Sequence, residues 1–437
     1  HLRPDFLYDW WPRGWAREGT GELDRRYTVN RMEIAPTLKL VNAVIGIAGW
    51  VGLPFGKLDV DSVLRTAQRK TGLEDWGDEA FIDLTRRLFR LADAARITRL
   101  GEIALRQTSY AAVTNRLRIE DYIKRHPDTA EIPIERPVFI VGFPRTGTTL
   151  LQNLLALEEG SRALEFWELY QPVPIHEDPA VDRRLRLRKA KEVLTVAKTV
   201  APEMPIVHDI RATTPEEDWL LMCNTGAVMN NDLANGLVRW GDFLMRYDMT
   251  GPYREFRRML QVLAHWKPTG RFVLKCPEHL WFLDDLLEVF PDACIVWPHR
   301  DPVSCIASYS SMISLTRRAW YGRIHAEYIG DHITDRFLTG VTRGMEVRER
   351  VGEDRFFDIN FERLSRDPVG AIRDIHQHFD MPHDEGTDDL TRNWLAQPRS
   401  DKPGRHVYSA AQWGLEVEEI YRRFAPYTER FGVHTHP

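Results

Sequence analysis

The stretch Pro137–Leu157, PVFIVGFPRTGTTLLQNLLAL, decides how the rest of this sequence is read. Its first six residues, PVFIVG, form a short, wholly apolar run, as a strand buried on both faces of a parallel sheet requires. Gly142-Phe143-Pro144-Arg145-Thr146-Gly147-Thr148-Thr149 comes next, and then a leucine-rich helical segment. A strand, a glycine-bearing loop and a helix N-terminus make an anion cradle, because unpaired backbone N–H groups and the positive end of the helix dipole point at one spot. Gly142 and Gly147 let the backbone turn sharply and approach an anion closely. Thr146, Thr148 and Thr149 add hydroxyl donors, and Arg145 adds a fixed charge with bidentate geometry. The arrangement is like a Walker A loop, yet Thr148 stands where GxxxxGK[ST] needs lysine, which disfavours an ordinary ATPase or GTPase.

Downstream of this unit the pattern alternates. Further strands are expected at Arg271–Lys275, Cys294–Trp297 and Arg355–Ile359, with helices over Thr148–Glu158, Glu278–Phe290, Pro302–Ser314 and Pro368–Phe379. Asp301-Pro302 and Asp367-Pro368 each supply an N-cap followed by a first-turn proline. Upstream, Val60–Arg125 is helical in period: Phe81, Leu84, Leu88 and Leu91 recur at three- and four-residue steps. His126-Pro127 and the proline-bearing segment Glu131–Pro137 then break that period. The fold class expected is α/β, a P-loop-like parallel sheet flanked by helices, with a helical N-terminal region. The division expected is residues 1–130 as a helical region packed on the core and 131–437 as the α/β nucleotide-binding and catalytic domain.

Composition narrows the class without choosing a function. In 437 residues, 43% hydrophobic and 28% charged, a substantial core is available and global disorder is excluded. Lys and Arg total 59 against 64 Asp and Glu, and a net charge of −5 argues against a general nucleic-acid binder. Cys223, Cys276, Cys294 and Cys305 are too few and too scattered for a disulfide framework or a paired zinc motif, so they read as small buried hydrophobes and no metal is expected. The chain opens on His1 without a basic, apolar and small-residue leader pattern, and a cytoplasmic protein is expected. Its most apolar window, Leu40–Phe55, falls short of the roughly 20 residues needed to span a bilayer. That window reads as a buried helix or packing segment, with contact to lipid or an apolar substrate as the alternative.

PRTGTTL (Pro144–Leu150) resembles the PRSGTTL-type loop with which bacterial sulfotransferases grip the 5′-phosphosulfate of 3′-phosphoadenosine-5′-phosphosulfate (PAPS). Three later segments extend the resemblance. Arg300, at a strand end, and Ser308, eight residues on in the helix begun by Asp301-Pro302, can converge on one phosphate; in that family an Arg and a Ser at this spacing bind the 3′-phosphate. Phe357–Pro368, FDINFERLSRDP, is similar to a segment whose aromatic residue lies against the adenine, a place taken here by Phe361. Nearer the C-terminus, Lys402–Ser409 resembles the loop that closes over the 3′-phosphate, with Gly404 and Arg405 as the matching residues. The resemblance runs from about Pro137 to the C-terminus, and Val60–Arg125 is similar to the helical lead-in of bacterial members.

Sulfuryl transfer needs an activated acceptor oxygen, an in-line geometry and positive groups where the leaving phosphate gathers charge. Arg145 and the first helix's amides suit the leaving phosphate. Lys275 ends a strand at the sheet edge where parallel sheets bind ligands, and resembles the family's transition-state lysine. Three residues compete for the base. Glu168, in the Trp167-Glu168 pair of the bacterial pattern, leads; His279, four residues after Lys275, and Glu165, which shares a helical face with Glu168, come after it. His208 and the run Glu216-Glu217-Asp218 are lesser pocket candidates, the run reading more readily as a solvated helix start. Arg183, Arg184, Arg186, Arg188, Lys189 and Lys191 read as a solvated helix face, or alternatively as an attractor for an anionic donor or acceptor. The resemblance implies PAPS as co-substrate without a metal, and a small-molecule, sugar or lipid hydroxyl as acceptor. A P-loop-type kinase and a non-catalytic nucleotide-binding protein are the alternatives.

Overall fold

The computed structural model describes residues 31–33, 38–39, 42, 57–200, 209–397 and 409–435. His208, Gly404, Arg405 and, apart from Asn42, the apolar window Leu40–Phe55 lie outside them. In chain order the strands are β1 (Arg31–Glu33), β2 (Val138–Ile140), β3 (Ser161–Arg162), β4 (Arg271–Lys275), β5 (Cys294–His299), β6 (Arg323–His325) and β7 (Phe356–Asn360). β1 and β6 pair antiparallel, while the central sheet has the order β3-β4-β2-β5-β7 and is parallel throughout. Ile140, the last residue of β2, lies beside Lys275 on one side and Val296 on the other. The chain leaves β4 and returns on the far side of β2, so the carboxyl ends of β2, β4 and β5 open onto one crevice, where open parallel sheets take their ligands.

Strand residues alternate between two cores, as a period of two demands. Phe139, Val141, Leu274, Ile295 and Trp297 face a large cluster shared with helices Val60–Thr71, Ala80–Ala94, Arg99–Arg125, Thr250–Trp266 and Ala326–Val351. Val138, Ile140, Val273 and Val296 face a second cluster with Leu151, Leu154, Ile372 and Ile375, from helices Thr148–Leu155 and Pro368–His378. Covering both faces explains why β2 and β5 are apolar runs rather than alternating ones. The expected Asp caps form: Asp301 accepts from Ser304 N–H and Asp367 from Gly370 N–H.

Two boundaries differ from expectation for physical reasons. The expected helix over Glu278–Phe290 is a 3-10 segment, Pro277–Phe282, followed by helix Leu283–Val289. All six residues of the 3-10 segment are buried, so no solvent-facing stripe favours α-helical winding, and two of their side chains are tied elsewhere: Glu278 accepts from Met229 and Asn230 N–H, and His279 bonds Asp218. β5 continues through Pro298 to His299, beyond the expected end at Trp297. β2 has ended at the level of Val296, so no strand waits on that side for the N–H that Pro298 lacks.

Candidate active site

The phosphate loop leaves β2 through Gly142, whose φ of 102° is left-handed, and whose added Cβ would lie 2.9 Å from the Trp297 ring and 3.1 Å from Pro298 O. Arg145 (φ 76°) and Gly147 (φ 88°) are left-handed too, so the loop curls back on itself before helix Thr148–Leu155 begins. A non-glycine residue held at positive φ marks backbone strain kept for a purpose. Thr146 is buried and donates to Phe143 O at 2.8 Å, bracing the curl. Thr148 is buried at the helix start and Thr149 is exposed.

Residues distant in sequence close around this loop. Arg145 Nε donates to Ser308 Oγ at 3.2 Å, and Arg300 donates to Arg145 O at 2.7 Å. The Arg300 guanidinium also lies 4.2 Å from the centroid of the Phe361 ring. A Cβ on Gly147 would meet Leu364 at 2.7 Å and Phe361 at 3.4 Å. Arg145, Gly147, Arg300, Ser308 and Phe361, from three separate segments, are therefore brought together, two guanidiniums beside a cradle of amides at a helix N-terminus.

A second constellation sits at the end of β4. Lys275 is 2% exposed, and its Nζ donates to Glu217 Oε1 at 3.0 Å. Burial would lower its pKa, but the carboxylates of Glu217 and Glu216 outweigh that and raise it, so the ammonium is held charged. The loop carrying Glu217 is stitched to the strand: Asp218 accepts from Lys275 N–H at 2.9 Å, Asp218 N–H donates to Lys275 O, and Gln152, on the phosphate-loop helix, donates to Glu216 O. Behind it His279 is fully buried, bonded through Nε2 to Asp218 at 2.8 Å and through Nδ1 to the Tyr253 hydroxyl at 2.9 Å. His279 thus orients Asp218 and has no open face toward a substrate.

Glu168 lies elsewhere. It is the third residue of helix Phe166–Tyr170, accepting from Glu165 N–H at 3.0 Å in a capping box. Its other oxygen takes a 2.6 Å bond from Arg162, both side chains being 6% exposed. Arg162 also donates to Leu263 O and Lys267 O, carbonyls where helix Thr250–Trp266 turns toward the start of β4. Arg162 pairs with Phe272, three residues or about 10 Å before Lys275 at ~3.3 Å per residue. The leading base candidate is therefore spent on a cap and a buried ion pair at the far end of β4. Glu165 caps the same helix and is half-buried; desolvation raises its pKa, moderated by the Trp167 indole N–H.

Sequence reasoning ranked Glu217 only as a lesser pocket candidate, because three successive acids resemble a solvated helix start. The signal lay immediately downstream: helix Trp219–Cys223 is apolar, so the acids are drawn against the core, where Glu216 and Asp218 are buried. Among the described residues one group has metal-ligand geometry, His126, Asp128 and His265, but it lies at helix ends outside this crevice, with His265 bridging Tyr122 and Asp128.

A phosphate loop without the Walker lysine, a second arginine beside it and a strand-end lysine facing a carboxylate are the features of a group-transfer enzyme. The chain belongs to the sulfotransferase family, whose profile matches residues 137–385. It is 26% identical over 317 residues, 66% of this chain and 76% of the relative, to the omega-hydroxy-beta-dihydromenaquinone-9 sulfotransferases Stf3 of Mycobacterium bovis and Mycobacterium tuberculosis. Among solved structures it resembles sulfotransferase STF9 of Mycobacterium avium, with a TM-score of 0.75 and 29% identity over 86% of this chain and 97% of that one. Sulfotransferase STF1 of Mycobacterium tuberculosis gives a TM-score of 0.72 and 27% identity over 84% and 98%. No described helix is long and apolar enough to cross a membrane.

Proposed function

We propose that this chain is a cytoplasmic enzyme that moves a sulfuryl group from PAPS to the hydroxyl of a lipid-type alcohol. The convergence of Arg145, Arg300, Ser308 and Phe361 on one glycine-bearing loop carries the donor half of this reading. A second cationic subsite beside the loop suits a nucleotide with a 3′-phosphate and has no counterpart in ATP. The curl of the loop depends on glycine at two points, since a Cβ at Gly142 would strike Trp297 and one at Gly147 would strike Leu364. Support for the acceptor half comes from the mycobacterial relatives, which by name act on a hydroxylated menaquinone.

PAPS, when bound, supplies the sulfuryl group as a phosphoric–sulfuric anhydride. This chain's residues do the rest. Arg145 and the amides opening helix Thr148–Leu155 stabilise charge gathering on the leaving 5′-phosphate oxygen. Lys275 meets the negative charge on the sulfuryl oxygens. Glu217, ion-paired to Lys275 and about a fifth exposed, accepts the proton as the acceptor oxygen bonds to sulfur. Arg300 and Ser308 hold the 3′-phosphate, with Thr146, Thr148 and Thr149 lining the loop; the family resemblance assigns Gly404 and Arg405, outside the described residues, to the same phosphate. In thermal-shift measurements 3′-phosphoadenosine-5′-phosphate should stabilise the protein more than ATP does, and Arg300→Ala should remove the difference. A preference for ATP would replace this reading with a kinase.

A further inference from the structure

The helix Pro179–Val200 is left unused by the site, although it covers the segments that lead into it. Over 22 residues, about 33 Å at 1.5 Å per residue, it presents two unlike faces. Asp182, Arg186, Ala190 and Leu194 recur every four residues and are buried. Asp182 and Arg186 pair at 2.9 Å, Arg186 also bonds Gln171 O and lies 4.5 Å from the Trp167 ring, and Ala190 and Leu194 pack with Phe166, Trp167 and Ala212. This stripe fastens the helix over residues 166–170 and over the turn at Ala212. The opposite face, centred on Arg184, Arg188, Lys191 and Thr195 by helical spacing, is exposed.

Charge on that outward side is mostly positive. Arg183, Arg184, Arg188, Lys189, Lys191 and Lys198 are all exposed, and Glu192, shared by Arg188 and Lys189, is the carboxylate set among them. Apolar side chains interrupt the cations: Val196 is 64% exposed, and Leu187, half-buried at the edge of the Phe166–Trp167 cluster, lies beside Arg184, Arg188 and Lys191. Ile175, just before the helix, is another exposed large hydrophobic residue at 39%. In a chain of net charge −5 this is a local reversal of sign. Cations with interspersed aliphatics on a surface helix match an anionic lipid surface, where the charges meet headgroups and the aliphatics reach the acyl boundary.

We propose that helix Pro179–Val200 docks this protein onto an anionic membrane surface, which brings it to the bilayer that holds a lipid-alcohol acceptor. The lipid nature of the acceptor rests on the function proposed above; the docking itself does not. Each basic residue near such a surface contributes roughly 1 kcal/mol, about fivefold in binding.

The test is co-sedimentation of the full chain with vesicles of phosphatidylcholine alone or doped with phosphatidylglycerol, at low and high salt. Binding to the doped vesicles at low salt, lost at high salt, is expected, and the triple variant R184Q/R188Q/K191Q should bind roughly 100-fold more weakly at unchanged helicity. Equal binding to both vesicle types, or none to either, overturns the proposal, as does capture by heparin without capture by vesicles. Sulfation of a water-soluble alcohol should be unaffected in the triple variant, while sulfation of a vesicle-embedded one falls. If vesicle binding has the expected pattern and no alcohol is sulfated, the sulfuryl-transfer reading fails and the docking stands.

Discussion

Replacing Lys275 by Met removes a charge while keeping an unbranched side chain of similar length, and the structure separates its two consequences. Lys275 is 2% exposed and 3.0 Å from Glu217, whose side chain is 21% exposed. At an effective dielectric of about 20 the pair attracts by roughly 5 kcal/mol. Losing one partner of a buried pair costs about 3–5 kcal/mol, but Glu217 can turn to water, which reduces the expected loss to about 2 kcal/mol in urea unfolding. The sign with pH comes from the raised pKa of Lys275: a raised pKa in the folded state gives stability that is present below the unfolded value and lost only as pH rises through the folded one. The destabilisation should therefore be flat across the neutral range. Turnover suffers more, by about 10²–10³-fold, if the ammonium faces the sulfuryl oxygens in the transition state. The double variant K275M/E217Q should recover most of the stability, because no lone carboxylate remains, while staying inactive. Turnover of K275M above about a tenth of the wild-type value would refute the role given to Lys275.

The same geometry sets two further outcomes. Glu168→Gln should destabilise the fold by about 3 kcal/mol, since Arg162 keeps its charge in a buried site, yet leave turnover per folded molecule near normal, whereas Glu217→Gln should abolish turnover with donor affinity retained; comparing kcat for the two variants after correcting for folded fraction decides the base. Asp358, bonded by His299 at 2.8 Å and doubly by Arg348, has its pKa lowered to about 2 against the desolvation that would raise it. A lowered folded pKa gives stability that is present above the unfolded value and lost as pH falls through the folded one. Between about pH 4 and 2 the Asp358→Asn variant should therefore become as acid-stable as the parent, after a deficit of about 1–2 kcal/mol at neutral pH.

The parts of this protein legible in its sequence are those whose physics is local. A strand running into a glycine-bearing loop and a helix start is contiguous, and so is the Asp-Pro cap that fixes the eight-residue interval from Arg300 to Ser308. The pairing of Lys275 with Glu217 was not legible, because it depends on contacts between segments some 57 residues apart, where Asp218 binds the backbone of Lys275. Local chemistry could nevertheless have demoted Glu168: a carboxylate three residues after another at the start of an apolar helical run is what a capping box looks like. His279 fell to a different error, since its burial comes from 3-10 winding that no helical spacing forecasts. Strand β4 makes the distinction concrete. An ion pair sits near each end, Arg162 with Glu168 and Lys275 with Glu217, alike in residue types and in neighbouring apolar sequence. Their openness differs: both side chains of the first pair are 6% exposed, while in the second the cation is sealed and the acid is 21% exposed. A sealed pair can only hold the fold together. A buried cation whose partner still reaches the crevice leaves that carboxylate open to an incoming hydroxyl, and the carboxyl end of a parallel sheet is where that hydroxyl would come.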